Sequence, residues 1–233
     1  MAAGTRTTIP IFPLADVVLF PKLRVPLHIF EPRYRQLTRA ALDADGRIGM
    51  VTVRPEHIQQ SDSDPPLFAI GCEGKIIHCE LLEDGRYNIV LMGTRRIRIC
   101  SELPPDGERL YRLAEVEHLA ESPSGATDAV AAGNVDDDYD GIARSSIVGL
   151  LRELVDHERD DDERPEISAE LFDGYDDELF VNSLAQSLAF SASEKQGLIE
   201  CDGVRDRLDQ LLALLQFRLA AIRSGQSGGA SMQ

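Results

Sequence analysis

Strands first and helices after is the order the sequence predicts, an α+β chain with a β-rich N-terminal half and a helical C-terminal half. Three observations carry this. From Thr8 to Leu119 short apolar runs alternate with Pro and Gly. Beyond about residue 141 the apolar spacing changes to a period near 3.6. The charge also divides: residues 1–100 are +2, residues 101–181 are −18, and residues 182–233 are neutral.

In chain order, Ile9 to Phe12, Val17 to Phe20 and Val25 to Phe30 read as three strands, the first two cut by Pro13 and Pro21. A helix follows Glu31-Pro32, because proline fits a first helical turn, Tyr34, Leu37, Ala41 and Leu42 share one face, and Asp45-Gly46 supplies a stop. Ile48 to Val53 returns to strand. Lys75 to Leu82 and Tyr87 to Leu91 form a hairpin around Glu83-Asp84-Gly85. Ile97 and Ile99 alternate with Arg96 and Arg98, which predicts one buried and one wet face.

Residues 121–140 read as an acidic flexible linker, since a Ser/Pro/Gly/Ala stretch ending in Asp136-Asp137-Asp138 cannot bury enough apolar area to offset its ordering entropy. Ile147, Leu150, Leu151 and Leu154 then share a helical face, and a second acidic break runs from Asp160 to Glu163. Leu179, Leu184 and Leu188 belong to another helix. Ser191-Ala-Ser-Glu194 has capping-box spacing, and Leu208, Leu211, Leu212, Leu215, Leu219 and Ile222 form a long stripe. The expected domains are 1–120, strands; 121–140, linker; 141–223, helices; and 224–233, a disordered tail.

The chemistry is mostly one of exclusions. No G-x-x-x-x-G-K-[ST], G-x-G-x-x-G or H-E-x-x-H sequence occurs. His157-Glu158 opens like a zincin helix, but Asp161 stands where a second histidine belongs. Gly225-Gln-Ser227-Gly-Gly229 fits the hydrolase elbow in letters only, because it lacks a preceding strand and a following helix. The five histidines are scattered, and the acidic runs lack the alternation of a calcium loop. Cys72, Cys79, Cys100 and Cys201 form no C-x-x-C pair and read as thiols of a reducing compartment. No cofactor, no metal and no membrane span are expected, and the location is expected to be cytoplasmic. The acidic surface argues against nucleic acid as a partner.

Four ordered blocks resemble the N-terminal substrate-recognition domain of the Lon (La) ATP-dependent protease family. They are Pro10-Ile-Phe-Pro-Leu-Ala-Asp-Val-Val-Leu-Phe-Pro21 with Val25-Pro-Leu-His-Ile-Phe-Glu-Pro-Arg-Tyr34; Phe68-Ala-Ile-Gly-Cys-Glu-Gly-Lys-Ile-Ile77; Leu91-Met-Gly-Thr-Arg-Arg-Ile-Arg-Ile99; and Leu188-Ala-Phe-Ser-Ala-Ser-Glu-Lys-Gln-Gly-Leu-Ile-Glu200 with Arg207-Leu-Asp-Gln-Leu211. The resemblance implies a PUA-like, partly closed β-barrel followed by a small helical bundle, without the ATPase and protease modules of the full protease. It further implies a non-catalytic module that binds unfolded or extended polypeptide, either by strand pairing at an open barrel edge or in an apolar groove between barrel and helices. Pro26, Leu27, Phe30, Tyr34 and Arg95 are the expected peptide contacts. The blocks also have a bland reading: Asp16 and Val17 to Phe20, bracketed by Pro13 and Pro21, shape the first strands, and the favoured use of Arg95 and Arg96 is an internal ion pair with Glu31 or Glu73. The alternative function is an adaptor that docks on a protease or another complex through its helical half, and it expects the last helix's stripe to be partly open. An RNA role by analogy with PUA-like folds runs against the charge division.

Overall fold

The computed structural model describes residues 6–60, 65–121, 135–158 and 167–224. The strands are β1 (Arg6–Leu14), β2 (Arg24–Ile29), β3 (Arg47–Thr52), β4 (Ile70–Leu81), β5 (Tyr87–Leu103) and β6 (Arg112–His118), with α1 (Pro32–Asp43) between β2 and β3. They form one mixed sheet in the order β2-β5-β4-β3-β1-β6. The first half of β5 pairs with β2 and its second half with β6, so the sheet nearly closes into a ring and β2 is left at the edge. Inside sit Ile9, Ile11, Val51, Ile97, Ala114 and Val116, all buried.

Local chemistry explains these elements. Glu31 occupies the position before α1 without a side-chain capping bond, Pro32 stands in the first turn, and Gly46 ends the helix at φ +74°, its N–H donating to the Ala41 carbonyl at 2.8 Å. The β4–β5 hairpin turns through Gly85 at φ +79°. Gly93 is fixed by close approach, since a Cβ there would meet the Phe20 carbonyl.

Two sequence expectations are corrected. Val17 to Phe20 is no strand: it is unpaired chain with Val18, Leu19 and Phe20 buried, and the Phe20 N–H donates to Gln186 Oε1 at 3.2 Å. Its hydrophobicity serves the core, with no neighbouring strand to pair with. Arg96 is not on a wet face but fully buried, because Nη1 and Nη2 donate to the carbonyls of Ile199 and Ala120 at 3.2 and 3.4 Å.

The C-terminal helices are α2 (Val135–Glu158), α3 (Asp177–Ser187), α4 (Ala192–Glu200) and α5 (Val204–Arg223). The chain divides into two compact units. One is residues 1–120 with 182–200, and the other is residues 121–181 with 201–233. α2 therefore begins inside the stretch read as linker, and α4 groups with the sheet. Side chains bind 182–200 to that unit: Asn182 Nδ2 donates to the Pro21 carbonyl at 3.1 Å, and Gln196 Nε2 donates to the Ile70 carbonyl at 2.9 Å. Lys195 donates to the Gln186 carbonyl at 2.7 Å, and partial burial pushes its ammonium pKa down. The capping box closes as expected, with Ser191 N–H to Glu194 Oε2 at 2.7 Å and Glu194 N–H to Ser191 Oγ at 3.2 Å.

In the other unit α2 packs on α5, and Leu208, Leu211, Leu215 and Leu219 are buried with Ile147 and Leu151. The stripe on which docking through the helical half would rest is thus largely used inside its own unit. Most of the linker, the 160–163 acidic run, the Ser227 motif and the tail after residue 224 lie outside the described residues. No helix among the described residues is long and apolar enough to cross a membrane.

Candidate functional site

In the sheet unit, an apolar cavity of about 320 Å³ opens between the end of β1, the β2–α1 corner and the segment leading into β6. That volume sits at the small end of ligand pockets, roughly 300–1,000 Å³. β1 supplies Ile11, Phe12 and Leu14 to the wall, and the corner supplies Leu27, Phe30 and Tyr34. The far wall is Leu110 and Tyr111. Phe30 is 60% exposed and Leu110 45%, so two of the lining side chains are large, apolar and in contact with water.

The corner wall is held firmly. Tyr34 meets Phe12 edge-on with ring centroids 4.3 Å apart, and the Arg33 guanidinium lies 4.8 Å over the Tyr34 ring. Arg33 also donates to Glu31 Oε2 at 2.8 Å. Arg112, on the opposite wall, pairs with Glu102 at 2.5 Å and donates to the Pro65 carbonyl at 2.9 Å. Both guanidiniums therefore already have acidic partners, and what the cavity offers a ligand is mainly apolar surface. No Ser, Thr, Cys or Lys side chain among the described residues lines it. Among the described residues no group of His, Cys, Asp and Glu is arranged to hold a metal ion.

Of the five expected contacts, Leu27, Phe30 and Tyr34 come together here, and Pro26 and Arg95 lie elsewhere. Pro26 is exposed on the edge strand opposite Val90. It lacks an N–H, and two residues earlier the Arg24 carbonyl accepts from Gln186 Nε2 at 3.2 Å. This edge is thus blunted as a template for an added strand. Arg95 stands across the ladder from Glu73 with Nε 3.8 Å from Oε1. Glu73 is buried and also meets His118 Nε2 at 2.9 Å, Thr94 Oγ1 at 3.1 Å and Arg47 Nη1 at 3.5 Å. Arg95 belongs to that internal cluster, the use favoured from sequence; of the two carboxylates considered there, Glu73 takes it and Glu31 pairs with Arg33.

Sequence reasoning missed Phe12, Leu110 and Tyr111 as lining residues. Phe12 was visible only as an ordinary strand apolar. Leu110-Tyr111 follows the turn-rich Pro104-Pro105-Asp106-Gly107, and nothing local distinguishes it from a strand entrance.

Residues 8–216 match the family described as the ATP-dependent protease La (LON) substrate-binding domain. The Lon protease of Escherichia coli (strain K12) is 25% identical over 225 residues, covering 92% of this chain and 25% of that protein. The chain thus spans about a quarter of the length of such relatives. The crystal structure of a Lon N-terminal domain protein from Xanthomonas campestris superposes with a TM-score of 0.59 at 25% identity, over 89% of this chain and 98% of that one. The N-terminal domain of a Mycobacterium avium complex Lon protease gives 0.58 at 17% identity, over 90% and 98%, a likeness of fold.

Proposed function

The chain belongs to the ATP-dependent protease La (LON) substrate-binding domain family, and from that premise we propose that it is a non-catalytic module that binds exposed apolar segments of unfolded or extended polypeptide. The observation that carries the reading is the apolar cavity whose lining includes the exposed side chains of Phe30 and Leu110. Of the two ways a peptide can dock, the blunted β2 edge favours an apolar groove, here the cavity lined by the sheet unit alone instead of one between barrel and helical bundle, with apolar side chains meeting Leu27, Tyr34 and Leu110. The four free cysteines suit a reducing, cytoplasmic setting.

The magnitudes point to transient binding. Burying one Leu- or Phe-sized side chain is worth about 1.5–3 kcal/mol. Two such anchors reach about 3–6 kcal/mol before association costs are subtracted. Micromolar affinity needs about 8 kcal/mol. A single groove of this size therefore samples chains, and tight capture needs several apolar segments on one client or delivery to a second protein.

The test passes reduced, carboxymethylated α-lactalbumin over the immobilised protein, with native α-lactalbumin as the folded control. Saturable capture of the unfolded form alone, lost in Phe30→Ala and kept in high salt, is the expected result. Equal capture of both forms, or of neither, overturns the reading.

A further inference from the structure

The groove's two walls are anchored differently. The Leu27–Tyr34 wall is continuous with β2 and α1, whereas Leu110 sits near the end of the loop, residues 104–111, that joins β5 to β6. Arg109 ties this loop to itself. Its N–H donates to Asp106 Oδ1 at 2.9 Å, its Nε to the Tyr111 carbonyl at 3.0 Å and its Nη2 to the Pro104 carbonyl at 2.5 Å. These bonds make the loop one body without locating it. Gln36 on α1 does the locating: its Nε2 donates to the Glu108 carbonyl at 2.7 Å, and the Leu110 N–H donates to its Oε1 at 2.6 Å. Among the described residues, the loop's other hydrogen bonds stay inside it.

We infer that Gln36 is a positioning residue of the polypeptide groove: its amide reads the Glu108–Leu110 backbone as a neighbouring strand would and holds Leu110 where it closes the groove. This rests on the groove being the binding site. Gln36 does not line the cavity, so its effect on a ligand passes through the loop. A wall held in place before the ligand arrives spares the ligand the cost of ordering it. Released, the loop samples other positions and the site loses one of its two open apolar contacts.

Alanine is the best helix former, so Gln36→Ala removes the tether without weakening α1. The probe is a short fluorescein-labelled Gly/Ser peptide carrying alternating Phe and Leu, read by anisotropy. Gln36→Ala is expected to raise its Kd about tenfold, the size expected for two lost hydrogen bonds. Gln36→Glu keeps the acceptor for the Leu110 N–H but not the donor to Glu108, and is expected to fall between. Hydrogen exchange reports whether the loop is released, and the intermediate Kd of Gln36→Glu is the reading that a merely structural role would not move. The Leu110 amide of Gln36→Ala is expected to lose protection while α1 amides keep theirs. A Kd within about twofold of wild type in Gln36→Ala, alongside lost binding in Phe30→Ala, overturns the positioning role and leaves the site standing. Unchanged Leu110 exchange overturns it as well. Absence of peptide binding by the wild-type protein overturns the site and this role with it.

Discussion

The two units differ in how much net charge they carry. The sheet unit holds 16 Lys/Arg against 18 Asp/Glu, a net of −2, and places key charged groups inside: Arg96 on carbonyls, and Glu73 among His118, Arg47 and Arg95. The helical unit holds 8 against 22, a net of −14, around a leucine core. A near-neutral unit can present an apolar groove without a single-sign field repelling half of all polypeptides, and the other unit carries most of the net charge.

The largest effect expected from breaking this contrast is at the two buried arginines. Arg96→Met keeps an apolar stem but strands the Ile199 and Ala120 carbonyls, and should cost about 2–3 kcal/mol of sheet-unit stability. Arg207 of the helical unit faces Glu121 at 3.2 Å, a carboxylate whose side chain is 25% exposed. Water can take over Glu121, so Arg207→Met should cost less. Denaturant melts of both variants decide, and equal losses would mean that internal polar pinning does not set the sheet unit apart.

A smaller effect concerns salt. Raising ionic strength from about 0.01 M to 1 M shortens the screening length from about 30 Å to 3 Å. Self-repulsion at −14 should then relax, and amides of α2 and α5 should gain hydrogen-exchange protection while β1, β3 and β6 change little. Equal gains in both units would show that net charge is not what limits the helical one.

What was readable in the sequence follows the range of the interactions. The α1 proline start and glycine stop, the Gly85 hairpin and the Ser191–Glu194 box are set by neighbours a few residues apart, and each stands where the pattern put it. Val17 to Phe20 misread because an apolar run says what is buried, not whether a strand lies alongside. Arg96 misread because its acceptors, Ala120 and Ile199, lie 24 and 103 residues away. The candidate groove divides the same way: Leu27, Phe30 and Tyr34 come from one continuous stretch and were named together, and the Leu110 wall arrives from 74 residues beyond the Gln36 that holds it.

The smallest predicted effect returns to a local feature of the sheet unit. At the hairpin turn, Arg86 donates from Nε to Asp84 Oδ2 at 2.6 Å and from its N–H to Oδ1 at 3.0 Å. The guanidinium hydrogen bond, helped by the backbone one, holds the Asp84 carboxyl below its ordinary value of 3.8. Because the folded pKa is the lower one, the unfolded chain takes up the proton first as pH falls. The pair's contribution is therefore full above about pH 4 and is lost as pH drops through the folded value. The group is exposed, so only the turn should respond, read as faster exchange of the Arg86 amide in acid. Asp84→Asn should flatten that response, and an acid response surviving in Asp84→Asn would assign it to another carboxylate.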